Sequence, residues 1–98
     1  MNRSRLEAAA LVKNRIFLAI VFQDFQTLEA SLIHAKSLGV DELNIEFEYQ
    51  GEHHSGLLLD CTRVNNRPAI SVSCDIKSAI LTYRLDRITN VAPSQLAA

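Results

Sequence analysis

Leu43-Asn44-Ile45-Glu46-Phe47-Glu48-Tyr49-Gln50 is the stretch on which the reading of this chain turns. Leu43, Ile45, Phe47 and Tyr49 alternate with Asn44, Glu46, Glu48 and Gln50. A period of two is the mark of a strand with one buried and one wet face. No Gly or Pro stands before Gly39, and the early run Leu6-Glu7-Ala8-Ala9-Ala10-Leu11 is rich in strong helix formers. The chain therefore changes from helical to extended habit near Gly39.

On the helical side, Leu28, Leu32 and Ala35 recur at helical spacing. Asp24 is placed to cap the N-terminus, and Gly39 to stop the helix just past Leu38. These signals predict a helix over Phe25 to Leu38. The apolar run Ile16 to Phe22 suits a buried strand or a buried helix; the helical reading is preferred, as part of a long first helix. Much of that helix's apolar side has no obvious partner in a small domain, which suggests a homodimer with Leu6, Ala10, Phe17 and Ile20 at the interface.

On the extended side, Gln50 to Gly56 reads as a turn segment. A second strand follows over Leu57 to Val64, with Leu57, Leu59 and Cys61 on one side. Val64 to Pro68 turns into a third strand, Ala69 to Cys74, with Ile70, Val72 and Cys74 on one side and Ala69, Ser71 and Ser73 on the other. Asp75 to Ser78 links it to a fourth, where Leu81, Tyr83 and Leu85 face inward; from Thr89 the tail is expected to fray. The expected fold is α+β: N-terminal helices over one face or end of a four-stranded, strongly curved antiparallel sheet or small Sm-like barrel. It forms one domain over residues 1–91, helical over 3–38 and β-rich over 43–88, with 92–98 as a flexible tail.

The 98 residues, 48% hydrophobic and 21% charged, allow one modest core. The longest apolar run is seven residues where a membrane crossing needs about 20, and Lys13, Asn14 and Arg15 interrupt any signal-like core. A cytoplasmic protein with reduced cysteines is expected. No CxxC or CxxH pair exists to set up zinc, so Cys61 and Cys74 read as neutral core thiols and His53-His54 as part of a solvated loop. No cofactor is implied.

The net charge of −1 conceals three blocks. Residues 1–23 carry four basic and one acidic side chain, residues 24–60 one and eight, and residues 61–98 five and two. So little net positive charge argues against strong non-specific DNA binding. Within the last block, Arg84 and Arg87, with Arg63 and Arg67 from nearby strand ends and Tyr83 beside them, form a candidate anion site. Guanidinium forks suit phosphate or carboxylate because they donate two parallel hydrogen bonds. The competing reading is that Asp86 pairs with an arginine and the rest are solvated. GxSxG, GxxxxGK[ST] and HExxH are absent, Glu46 and Glu48 fit solvated alternation, and His34 fits a surface residue better than a base. A non-enzymatic protein is expected.

Thr82-Tyr83-Arg84-Leu85-Asp86-Arg87-Ile88 resembles the closing strand of the WYL domain, the Sm-like β-barrel of many bacterial transcriptional regulators, where a phrase close to FRLDRI recurs. Leu32 to Ala35 followed by Ile45 to Gly51 is similar to that family's lead-in helix and first strand. The chain departs from the family in lacking Trp, and hence the Trp-Tyr-Leu triplet; the comparable strand reads Pro68-Ala69-Ile70-Ser71-Val72-Ser73. The resemblance implies a ligand-sensing or nucleic-acid-contacting module, with a nucleotide, single-stranded nucleic acid or small anion as ligand and a separate regulator protein as partner.

Overall fold

The computed structural model describes residues 3–40, 43–74 and 79–93. Its contacts divide the chain into two compact units, Met1–Asp41 and Glu42–Ala98. The first is a pair of helices, α1 (Arg3–Val21) and α2 (Phe25–Ser37). The second is a five-stranded antiparallel sheet: β1 (Asn44–Tyr49), β2 (Glu52–Val64), β3 (Arg67–Cys74), β4 (Ala79–Arg84) and β5 (Ile88–Pro93), in the order β4-β3-β2-β1-β5. A one-turn 3₁₀ helix, η1 (Leu85–Arg87), joins β4 to β5.

The ambiguous run Ile16 to Phe22 is helical, and its helix ends in a Schellman motif. The Gln23 N–H donates to the Ile20 carbonyl and the Asp24 N–H to the Ala19 carbonyl, while Gln23 takes the left-handed conformation at φ 55°. Asp24 then caps α2: its carboxylate accepts from the Thr27 N–H at 3.2 Å and from the Thr27 hydroxyl at 2.6 Å. These two bonds, side-chain first, hold Asp24 below its ordinary pKa. A second Schellman pairing closes α2, with the Gly39 N–H on the Lys36 carbonyl and the Val40 N–H on that of Ala35. Gly39 stands at φ 74°, where a glycine costs nothing. One polar residue thus ends one helix and starts the next, and α1 packs against α2 across the short turn.

In the sheet, Leu43, Ile45 and Phe47 are buried as their alternation requires. The segment expected to turn over Gln50 to Gly56 is instead mostly strand. Tyr49 pairs with Glu52, leaving a two-residue hairpin at Gln50-Gly51, both at positive φ (53° and 83°). The next hairpin is equally tight, at Asn65-Asn66 (49° and 66°) with Val64 paired to Arg67. Positive φ at both central positions matches the strands' own twist, so these turns are short and the strands correspondingly long. His53 and His54 consequently lie in β2, not in a solvated loop.

On β2, Leu57, Leu59 and Cys61 do not share one side as expected: Leu58 is the buried leucine, with Leu57 and Leu59 half-buried. The register with β3 shifts between Leu58 and Asp60, so the extra residue Leu59 moves Leu58 and Cys61 onto the side of Val72 and Ile70. The expected count of four strands is also corrected. The segment from Thr89 pairs with β1 as β5, with Ile88 opposite Tyr49 and Pro93 opposite Ile45; residues 94–98 of the expected tail and the link 75–78 lie outside the described residues. Leu85 and Asp86 belong to η1 and not to the fourth strand. The sheet is not closed into a barrel: β4 and β5 are its edges.

β2 meets β1 over Glu52 to Leu57 and β3 over Gly56 to Val64, and the two pairings overlap only at Gly56 and Leu57. Gly56 is therefore flanked on both sides where β2 changes partner, and a Cβ there would stand 2.2 Å from the Ser73 carbonyl oxygen. Backbone at that distance has to move. Gly56→Ala is expected to lower the unfolding free energy by at least about 1–3 kcal/mol, read as a lower urea midpoint with unchanged slope.

Candidate functional site

The end of the sheet at η1 is built by tyrosines. Tyr83 of β4 and Phe47 of β1 touch edge to face with centroids 4.9 Å apart, although β3 and β2 lie between their strands in the sheet order. Such contact requires the sheet to curl strongly. His54, opposite Phe47 in the β1–β2 register, stacks on it and completes the cluster with Tyr49. The Tyr83 hydroxyl lies 3.2 Å from His54 Nδ1, and His54 Nε2 lies 3.7 Å from the Glu52 carboxylate. One tautomer serves both contacts: the phenol donates to Nδ1 while Nε2–H faces Glu52. Burial, then the neighbouring Cys74 thiol and Tyr49, push the Tyr83 phenol above its ordinary pKa of 10.0.

Tyr49 extends this cluster to the backbone. Its hydroxyl accepts the Arg84 N–H at 3.2 Å, satisfying a donor at the end of an edge strand. Just beyond, the Arg84 side chain closes a fork on Asp86, with Nε donating to Oδ1 at 3.1 Å and Nη2 to Oδ2 at 2.6 Å. Asp86 is held below its ordinary pKa by these hydrogen bonds first, then by the charge of Arg84, and further by those of Arg67 and Arg87.

Three of the four arginines singled out in the sequence therefore act on one carboxylate from three elements: Arg67 opening β3, Arg84 ending β4, and Arg87 in η1. Arg67 and Arg87 are exposed. With Asp86 as counter-charge, the group keeps an excess of two positive charges. Arg63 is placed differently. It pairs with Pro68, one rung from the Val64–Arg67 pair, and successive rungs point to opposite pleat faces. Tyr83 is 4% exposed inside the aromatic cluster and is not a surface residue. Of the residues expected at a dimer interface, Leu6 and Ala10 are exposed, Phe17 is half-buried, and Ile20, at 2% exposure, is interior to the chain itself.

Sequence reasoning missed His54 and Tyr49. The available signal was the His at i+2 from Glu52 opposite an inward Phe, which becomes visible only once the Gln50-Gly51 hairpin sets the register. Neither Cys61 nor Cys74 is in a disulfide; the first is half-buried and the second buried. No family model, curated protein or solved structure matches this chain. No described helix is long and apolar enough to cross a membrane.

Tyr83→Phe keeps the ring and removes its hydroxyl, leaving His54 Nδ1 without its partner; a loss of about 1 kcal/mol in urea unfolding is expected. The raised phenol pKa fixes the sign of the alkaline response. Above pH 10 the unfolded chain sheds this proton before the folded one, so stability falls as pH climbs from 10 through the folded value, and Tyr83→Phe should flatten that fall.

Proposed function

We propose that this protein is a non-enzymatic anion-binding module of the sensing or regulatory kind, taking the phosphate of a nucleotide or of a single strand's end at Arg67 and Arg87, beside the Arg84–Asp86 pair. The observation that carries the reading is the Arg84–Asp86 fork at a sheet end held by the tyrosine cluster, with exposed Arg67 and Arg87 close enough for their charges to favour the ionised form of the same carboxylate. Arg84 is committed to Asp86 through its Nε and Nη2, whereas Arg67 and Arg87 act on Asp86 only through space. Their forks are the ones open to a ligand. The likeness of Thr82 to Ile88 to the WYL closing strand supports the same class, and the curl of the sheet, with its edge strands joined by the three-residue η1, is in keeping with a divergent relative of that barrel.

Isothermal titration with ATP and with a short 5′-phosphorylated single strand tests this. Binding is expected at low salt and should weaken as salt rises. The double change Arg67→Glu/Arg87→Glu should abolish it with an unaltered melting curve, and Arg63→Glu should bind as the unmutated protein does. No binding by the unmutated protein at low salt, or equal loss in Arg63→Glu, rejects the site.

A second reading, self-association, is favoured by one separate observation. Leu11 and Leu18 of α1 and Phe22 just past its end fall at helical spacings of seven and four, and all three are exposed, Phe22 by 75%. This stripe differs from the set expected from sequence. Sedimentation at tens of micromolar, roughly the range in which weak pairs form, should give twice the 10.9 kDa chain mass for the unmutated protein and the single mass for Leu18→Glu; a monomer in both rejects it.

A further inference from the structure

The helical unit carries two adjoining depressions that share Arg15 of α1 and His34 of α2. The larger, about 360 Å³, is walled by the polar side chains of Gln26, Thr27 and Ser31. The smaller, about 130 Å³, is walled by Ala8, Leu11 and Val12. We propose that this groove is a second binding site, independent of the arginines on the sheet, for a small carboxylate bearing a short apolar chain: the carboxylate sits on Arg15 and His34, and the chain lies over Leu11 and Val12.

Four observations define that occupant. No acidic side chain walls either depression, so Arg15 and His34 supply all the ionisable groups there. Among the described residues Arg15 forms no ion pair, and its planar fork matches the two oxygens of one carboxylate. A single guanidinium is matched in charge by a monoanion; a phosphate dianion would exceed it. The smaller depression holds the volume of about four waters, which suits a few methylenes, and its Leu11 wall is 68% exposed, so covering it removes apolar surface from water. The larger, polar-walled side takes the head group with its hydration. A site with one apolar and one polar end around a cation selects amphiphilic acids over either simple anions or simple hydrocarbons.

Amide NMR titration with sodium hexanoate, using sodium acetate and inorganic phosphate as comparison anions, tests the site on the full chain. Hexanoate is expected to give saturable shifts at Arg15, Ser31 and His34 and to bind more tightly than acetate or phosphate. Arg15→Gln should weaken hexanoate binding by at least about tenfold, with Arg15→Lys, which keeps the charge but not the fork, falling between. Leu11→Gln should reduce hexanoate to the level of acetate. Arg67→Glu/Arg87→Glu should leave all of these values unchanged, which separates failure here from failure of the sheet site. Equal binding of hexanoate and acetate, tighter binding of phosphate, or full hexanoate binding by Arg15→Gln overturns the proposal.

Discussion

The contact on which the sheet's form depends is that between the end of β4 and β1, two strands that do not pair with each other. Tyr83 reaches Phe47 and His54 across the intervening strands, and the Tyr49 hydroxyl takes the backbone N–H of Arg84. A flat five-stranded sheet would hold β4 and β1 about three strand spacings apart, roughly 14 Å. Ring centroids at about a third of that distance require the sheet to coil onto itself. Coiling in turn brings the outer strands near enough for the three residues of η1 to join β4 to β5. Gly56 permits the bend from the other side, since no side chain fits where β2 passes from one neighbour to the next. The aromatic cluster and the absent Cβ are two halves of one constraint.

The same contact positions the charges. Arg84 is the last residue of β4 and its backbone is tied to Tyr49, so its guanidinium and the η1 residues that follow begin from an anchored point. Asp86 sits two residues on and closes the fork. The β5 strand then returns along β1, with Asn90 in the left-handed region and its amide bonded to the Glu48 carboxylate where the β1–β5 register shifts. Several acidic side chains find local partners on the sheet: Glu48 accepts from the neutral amide of Asn90, Glu52 faces His54, and Asp86 takes the Arg84 fork.

What the sequence made legible follows the strength of each local signal. Asp24, Gly39 and the alternation of Leu43 to Tyr49 rest on chemistry confined to a few neighbouring residues, and each does in the structure what its residue type predicts. The first hairpin reads too long from sequence because Gln50-Gly51 is less insistent than Asn-Gly, whereas the turn expected over Val64 to Pro68 is present and narrows to Asn65-Asn66; Gln50, Asn65 and Asn66 all adopt positive φ. The slip at Leu59 could not be read from Leu57 to Cys61, where an unbroken leucine run fits either face; only pairing with β3 decides it. β5 was invisible for a similar reason. Ile88 to Pro93 has little period of its own and becomes a strand because β1 offers an otherwise unpaired edge. The arginine group was legible as residue types but not as a set, since Arg63 and Arg67 straddle the Asn65-Asn66 turn, whose register sends them to opposite faces.

Asp86 gives the group its character. Were it absent, Arg67, Arg84 and Arg87 would repel one another, and the end of β4 would lose the fork that fixes Arg84. With it, Arg84 is fixed by its fork, and the pKa of Asp86 is lowered first by the hydrogen bonds from Arg84 and then by the charges of Arg84, Arg67 and Arg87. An incoming anion meets two competing effects: attraction to Arg67 and Arg87, and repulsion from a carboxylate that does not protonate near neutrality. Under the proposed reading attraction prevails, because two guanidinium charges stand against one carboxylate whose own charge is already met by Arg84, and the closed Arg84–Asp86 fork leaves Arg67 and Arg87 as the groups that face the ligand.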